Sequence, residues 1–289
     1  MAAFEDRYFN SPDGLRLHYR DYAGPADGPP IICLPGLTRN ARDFEPVAER
    51  FAGEWRIIAL DFRGRGESEH DPRPERYLPP VYAKDILKLL DQLGIAEAVF
   101  FGTSLGGLVT MLLAATDEER IAGALINDVG PELSLPGLDR IRSYVGEAAS
   151  WPSWEEATRD LAGRHADVFP NYDLSGWDRH ARRLCREDKS GRISFDYDPG
   201  ISEPFKLAND APQPDLWPLL YGLKGKPVLV LRGDRSDLFT AETAERMAET
   251  IGSAELVTVK DVGHAPALDE PEAVAAMERL LARVRSASA

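Results

Sequence analysis

AVFFGTSLGGLVT, Ala98 to Thr110, is the stretch that decides how the chain folds. Ala98 to Phe101 is a short apolar run of the kind a fully buried parallel strand carries. Gly102-Thr103-Ser104-Leu105-Gly106 follows and fits Gly-x-Ser-x-Gly. A nucleophile at the apex of a strand-to-helix turn sits in strained backbone, with neighbouring backbone packed hard against it. Glycines two residues before and two after remove the Cβ atoms that would clash there. The helix that follows points its first N–H groups and its dipole at the serine, where an oxyanion would form. The pentapeptide alone also fits a plain strand and helix joined by a glycine turn. The flanks decide between the two.

Upstream, Phe4 to Phe9 and Leu15 to Tyr19, separated by Ser11-Pro12-Asp13-Gly14, form the pattern of an edge hairpin. Pro29 to Leu34 is a buried strand that ends in Pro35-Gly36-Leu37-Thr38. Ala41 to Phe51 reads as a helix with Phe44, Val47, Ala48 and Phe51 on one face. Arg56 to Leu60 is another buried strand, and Asp61-Phe62-Arg63-Gly64-Arg65-Gly66-Glu67-Ser68 follows it. Val81 to Leu93 is amphipathic and closes on Gly94. Downstream, Ile121 to Asn127 is a strand opening onto Asp128. The alternation of strand and helix then stops from Pro131 to about Leu223. Helices are predicted there at Leu138 to Ala148, Ser153 to Asp167 and Leu174 to Asp188, with an extended piece at Arg192 to Tyr197. The pattern resumes with a strand at Pro227 to Leu231, a helix at Ala241 to Thr250, a last strand at Glu255 to Val259 and a closing helix at Pro271 to Val284.

These carriers resemble the α/β-hydrolase superfamily: Leu34-Pro35-Gly36, Asp61 to Ser68, Gly102 to Gly107, Arg232 to Asp237, and Gly263-His264. The likeness runs from about Leu15 to Leu281. It implies a mostly parallel eight-stranded sheet flanked by helices, with a helical cap inserted at residues 131–223. The core domain would then comprise residues 1–130 and 224–289. The resemblance also implies that the loop after Leu34 supplies one oxyanion-hole N–H, here that of Leu37, with Leu105 supplying the other. Many relatives carry His where this chain has Pro35, so the usual side-chain anchoring of that loop is not expected. Asp61 and Arg63 read as organisers of their loop by hydrogen bonds and charge pairing, not as reacting groups. Aromatics of the insert (Trp151, Trp154, Phe169, Tyr172, Trp177, Phe205, Trp217) could wall an apolar acyl pocket, although cap packing is the commoner use for such residues.

A serine hydroxyl is a weak nucleophile until a base takes its proton. The superfamily orders its triad Ser, acid, His along the chain. Of the five histidines, His264 alone follows a late buried strand, on a loop that returns to the sheet edge of Ser104. Three carboxylates leave strand ends at that edge: Asp128, Asp234 and Asp237. In most relatives the acid lies in the turn after the strand at Pro227 to Leu231, which points to Asp237. Some relatives use an acid after the preceding strand, which keeps Asp128 as the alternative. Asp234, one residue past Gly233, sits too tight against its strand to reach His264.

The implied chemistry is hydrolysis of small carboxylic esters through a Ser104 acyl-enzyme. Serine at the apex argues against the relatives that attack with Asp, the haloalkane dehalogenases and epoxide hydrolases. The short Pro35-Gly36-Leu37-Thr38 loop argues against the proline peptidases. Lactone hydrolysis stays open, as does C–C bond hydrolysis of ring-cleavage diketones, although those enzymes tend to have an aromatic shortly after the His and here Ala265-Pro266-Ala267 follows. A non-catalytic ligand receptor on the same fold is the alternative from another class.

Composition narrows the partners. A net charge of −14 disfavours nucleic acid and anionic membrane surfaces. It also argues against strongly anionic substrates, unless a local cluster of arginines overrides the average. The partner expected is a small molecule with an acyl or activated carbonyl group. No metal-ligand cluster or dinucleotide-binding glycine pattern appears, so no metal or cofactor is expected. The two cysteines, Cys33 and Cys185, have no evident pairing, and with a charged N-terminus unlike a signal peptide they imply a reducing, cytoplasmic setting. Ala98 to Ala115 carries no charge over a span long enough for a membrane helix, but Gly102, Gly106 and Gly107 break it at the turn.

Overall fold

The computed structural model describes residues 2–204 and 214–287. Its centre is an eight-stranded sheet in the order β1-β2-β4-β3-β5-β6-β10-β11. The strands are β1 (Glu5–Asn10), β2 (Arg16–Tyr22), β3 (Ile31–Leu34), β4 (Ile57–Leu60), β5 (Ala98–Thr103), β6 (Ile121–Asn127), β10 (Val228–Gly233) and β11 (Ala254–Val259). β1 and β2 form the expected edge hairpin, and β2 is also antiparallel to β4. All other pairs are parallel. The mostly parallel architecture implied by the resemblance is therefore the one the chain adopts.

The continuous apolar runs of the central strands follow from burial on both faces. Alternate residues point to opposite sides. Ile32, Leu34, Ala98, Phe100, Val228 and Val230 enter one core, whereas Ile31, Cys33, Val99, Phe101, Leu229 and Leu231 enter the other. On the first face lie α2 (Pro79–Leu93), α3 (Leu105–Thr116) and α7 (Ala241–Ile251). On the second lie α1 (Glu45–Phe51) and α8 (Pro271–Ala287), whose Ala273, Ala276, Met277, Leu280, Leu281 and Val284 form one buried stripe. Gly94 ends α2 in the left-handed region at φ 67°, where glycine carries no Cβ penalty. The helix expected over Ala41 to Phe51 begins as a 3₁₀ turn, Ala41–Phe44, because Pro46 fits the first turn of an α-helix but not its interior.

Between β6 and β10 the chain forms α4 (Leu135–Tyr144), α5 (Trp154–His165) and α6 (Leu174–Leu184), together with a small antiparallel sheet in the order β7-β9-β8. Its strands are β7 (Ser150–Trp151), β8 (Cys185–Glu187) and β9 (Ile193–Phe195). The helix expected to run to Asp188 stops at Leu184, because Cys185 to Glu187 pair with Ile193 to Phe195 instead. Pairing in a local hairpin, closed by the turn at Asp188 to Arg192, overrides helix propensity here. Among the described residues no helix is long and apolar enough to cross a membrane.

Candidate active site

β5 delivers Ser104 to the carboxyl edge of the sheet, and α3 starts at the next residue. Ser104 has φ 52° and ψ −114°, the strained conformation required to project its side chain from so sharp a turn. The flanking glycines are needed for the reason anticipated. A Cβ on Gly106 would lie 2.0 Å from the Leu34 carbonyl oxygen, and one on Gly102 would lie 2.5 Å from that of Gly106. β3, β5 and α3 thus meet at backbone contact directly beneath the serine.

His264 follows β11 and reaches back over the same edge. Its Nε2 lies 2.9 Å from Ser104 Oγ, and its Nδ1 lies 2.7 Å from Asp128 Oδ2. The acid in contact with His264 is therefore Asp128, at the end of β6, and not Asp237. Asp237 is turned away by Arg140 of α4, whose Nε and Nη2 donate to its two oxygens at 2.5 and 2.8 Å. That guanidinium holds the Asp237 carboxyl below the usual carboxylate range. Asp234 accepts the Val262 N–H at 3.3 Å and takes no part in the His264 contact. Asp128 itself is fully buried at φ 54°. Its remaining capacity is filled by the Gly233 N–H at 2.7 Å and the Ser236 hydroxyl at 2.6 Å. An ionised carboxylate only accepts, so three donors converging on Asp128 fix the proton of His264 on Nδ1. Nε2 then faces Ser104 as the acceptor, the geometry in which an imidazole can remove the hydroxyl proton.

Leu37 lies in a turn closed by the Arg39 N–H donating to the Gly36 carbonyl at 3.1 Å. A Cβ at Gly36 would come within 3.8 Å of Ser104 Cβ, so the turn passes beside the serine. The Leu105 N–H heads α3 and has no intrahelical acceptor, like every first-turn donor. The anchoring that Pro35 cannot give comes from Arg65, whose Nε donates to the Leu37 carbonyl at 2.9 Å. Arg65 is fully buried and also donates to the Arg63 carbonyl and the Tyr82 hydroxyl. Nothing local in the sequence announces that contact, nor those of Ser236. A third tie, Asn127, donates to Thr103 Oγ1 at 3.1 Å and to the Pro266 carbonyl at 2.9 Å, joining β5 and β6 to the loop after His264.

Ser104 and His264 open onto a cavity of about 400 Å³ between the sheet edge and the segment that joins β6 to β10. Phe169 and Tyr172 line it, together with Tyr144, Phe195 and Tyr197. Trp151 instead packs in a separate apolar cluster of the insert and Trp177 in the core. Trp154 donates to Glu187 and Trp217 to Glu132. Phe205 lies outside the described residues. His165 and His180 also face the cavity. Burial and the guanidinium of Arg39 push both below the ordinary histidine value, with Arg140 and Arg164 adding to the effect on His165, which falls to about 4. Among the described residues no group of three or more His, Cys, Asp or Glu could hold a metal ion.

Comparison with known proteins places these features in context. A family model described as alpha/beta hydrolase fold matches residues 29–271. A 3-hydroxybutyrate-oligomer hydrolase of Cupriavidus necator is 34% identical over 274 residues, covering 92% of each chain. A 3-oxoadipate enol-lactonase of Acinetobacter baylyi is 24% identical, covering 94% of this chain and 95% of its own. The crystal structure of an alpha/beta hydrolase from Novosphingobium aromaticivorans superposes with a TM-score of 0.93 at 52% identity, covering 98% of this chain and 99% of its own.

Proposed function

The chain belongs to the alpha/beta hydrolase family, and on that premise we propose that it hydrolyses small carboxylic esters through an acyl-enzyme on Ser104. The observation that carries the reading is the unbroken line from Ser104 Oγ through His264 to the buried Asp128, at 2.9 and 2.7 Å. In this mechanism His264 Nε2 takes the hydroxyl proton as Ser104 Oγ attacks the ester carbonyl carbon. The Leu37 and Leu105 N–H groups receive the negative charge that develops on the carbonyl oxygen. Asp128 holds the imidazole in its working tautomer and stabilises the imidazolium without taking the proton. The imidazolium then protonates the departing alkoxide, and a water activated by the same imidazole repeats the cycle on the acyl-enzyme. Every step closes with the groups present.

The 3-hydroxybutyrate-oligomer hydrolase, similar over nearly its whole length, supports an ester as the bond cleaved and makes such oligomers the first substrates to try. A lactone is an internal ester, so the enol-lactonase likeness fits the same acyl chemistry. Residues 131–223 act in this reading as the cap over a core of residues 1–130 and 224–289. The unpaired Cys33 and Cys185 support a reducing, cytoplasmic setting. The test is a panel of 4-nitrophenyl esters, 3-hydroxybutyrate oligomers, lactones and a ring-cleavage dienoate, run with and without a fluorophosphonate. Fluorophosphonate-sensitive turnover of the esters is the expected result. Turnover of the dienoate alone, or of nothing while the probe fails to react, would overturn it.

A further inference from the structure

The cavity beside Ser104 is more cationic than so acidic a chain leads one to expect. Among the described residues its lining holds four arginines (Arg39, Arg140, Arg164 and Arg183) and two acids (Asp43 and Glu147), in a chain of net charge −14. Arg39 ends the turn that carries Leu37. A Cβ at Gly36 would touch Arg39 Cγ at 3.2 Å and Ser104 Cβ at 3.8 Å, so the stem of Arg39 stands next to the candidate nucleophile. Arg140 enters the cavity from α4. Arg39 meets His180 at 3.4 Å, the His180 and His165 rings lie 6.3 Å apart and Tyr144, on the helix of Arg140, lies 6.1 Å from His165, so a row of rings along one wall of the cavity joins the two arginines.

Each arginine gives one edge to an acid, and Arg140 also hydrogen-bonds Tyr144, which lines the same cavity. Arg39 gives Nε and Nη2 to Asp43 at 2.6 and 2.5 Å, and Arg140 gives the same two atoms to Asp237. Side-on pairing fixes the guanidinium plane and leaves Nη1 off the acid. Among the described residues Arg39 Nη1 meets the Nε2 of His180, at the long distance of 3.4 Å, a neutral acceptor in place of a carboxylate. The two imidazoles beside the arginines stay uncharged at neutral pH, chiefly because they are buried, with the guanidiniums adding to the effect.

We propose that Arg39 and Arg140 form a carboxylate subsite, which binds a free acid group of the substrate while Ser104 attacks an ester carbonyl elsewhere in the same molecule. This rests on the ester reading above and narrows it. The substrate class is a compact ester that carries its own carboxylate: a half-ester of a dicarboxylic acid, or an oligoester cut near its acid end. A cavity of about 400 Å³ suits a molecule of that size. A neutral diester of equal length leaves the two Nη1 groups desolvated and without an anion.

The experiment compares monoethyl glutarate with diethyl glutarate, following acid release in a pH-stat. The half-ester is expected to be preferred about tenfold or more in kcat/KM, chiefly through KM, as charge-assisted hydrogen bonds of this kind provide. Arg140→Met and Arg39→Met should each lower that preference about tenfold. If Arg39→Met does not fold, Arg140→Met and Arg39→Lys decide. A second arm needs no turnover: calorimetry of monoethyl glutarate on Ser104→Ala, with and without Arg140→Met. Binding that Arg140→Met weakens supports the subsite even if neither ester is hydrolysed, a result that would count against the ester reading alone. Turnover without half-ester preference, a preference untouched by both variants, or no binding in the second arm would overturn the subsite.

Discussion

Replacing Asp128 with Asn tests the buried acid with little disturbance of shape. The residue sits at φ 54°, a region Asn adopts more readily than most residues, so the backbone should hold. The amide must put its NH₂ group in the place of one carboxylate oxygen. At the Oδ1 position it would face the Gly233 N–H, two donors 2.7 Å apart in a fully buried site, which is costly. At the Oδ2 position it faces Ser236, whose hydroxyl can rotate to accept, and His264 Nδ1, which can become an acceptor only by moving its proton to Nε2. The second arrangement wins because every group finds a partner. It leaves an N–H pointing at Ser104 where a base is needed. The equivalent change in trypsin lowers kcat by about 10⁴, which corresponds to roughly 5 kcal/mol of transition-state stabilisation. We expect a loss of that order for Asp128→Asn in 4-nitrophenyl butyrate hydrolysis, with a melting temperature within a few degrees of the parent. A variant that folds and keeps more than a tenth of parental kcat/KM would refute the tautomer argument.

The other expected outcomes are smaller or of a different kind. Asp237→Asn removes only a half-exposed pair with Arg140, so stability should change by about 1 kcal/mol or less, and 4-nitrophenyl butyrate turnover should stay within about threefold; a loss matching that of Asp128→Asn would restore Asp237 as the acid. Ser236→Ala deletes one of three donors to Asp128 and should lower kcat about fivefold, the equivalent of about 1 kcal/mol, measured in the same assay. Gly106→Ala drives a Cβ into the Leu34 carbonyl and should cost about 3 kcal/mol in urea unfolding, whereas Gly163→Ala, with open space around it, should not destabilise. His18 is buried, which lowers its pKa, but its hydrogen bonds to Asp61 and Asp6 outweigh that and raise it. Stabilisation from protonated His18 should therefore be complete below the unfolded value of about 6.5 and fade as pH rises through the folded one. Urea unfolding of parent and His18→Gln across that range should show the difference shrinking toward alkaline pH, and a constant difference would contradict it.

Ser104 and His264 were legible because their signals are local: an apolar strand, a glycine-flanked serine, and a histidine just past the last strand. The strands of the sheet were legible for the same reason, since burial on both faces leaves uninterrupted apolar runs such as Val228 to Leu231. The acid was not. Asp128, Asp234 and Asp237 all leave the same sheet edge, and the choice among them is made by groups far away in the chain. Arg140 captures Asp237 from 97 residues upstream, and Gly233 and Ser236 hold Asp128 from more than 100 residues downstream. Arg63 shows the same limit. Its role as a loop organiser could be read, but two of its partners, Asp13 in the turn between β1 and β2 and Asp85 in α2, lie 50 and 22 residues away. Mean charge is silent on single cavities: the exception allowed for in the sequence, a local cluster of arginines, matches a lining that includes Arg39 and Arg140.

Each turnover of the proposed mechanism passes through a covalent ester with Ser104, and that intermediate can be trapped. Enzyme turning over 4-nitrophenyl butyrate is quenched in acid within milliseconds, digested and weighed by mass spectrometry. A butyryl group is expected on the peptide containing Ser104 and none on that peptide from Ser104→Ala. Steady turnover with no adduct on that peptide, together with an active Ser104→Ala enzyme, would contradict it.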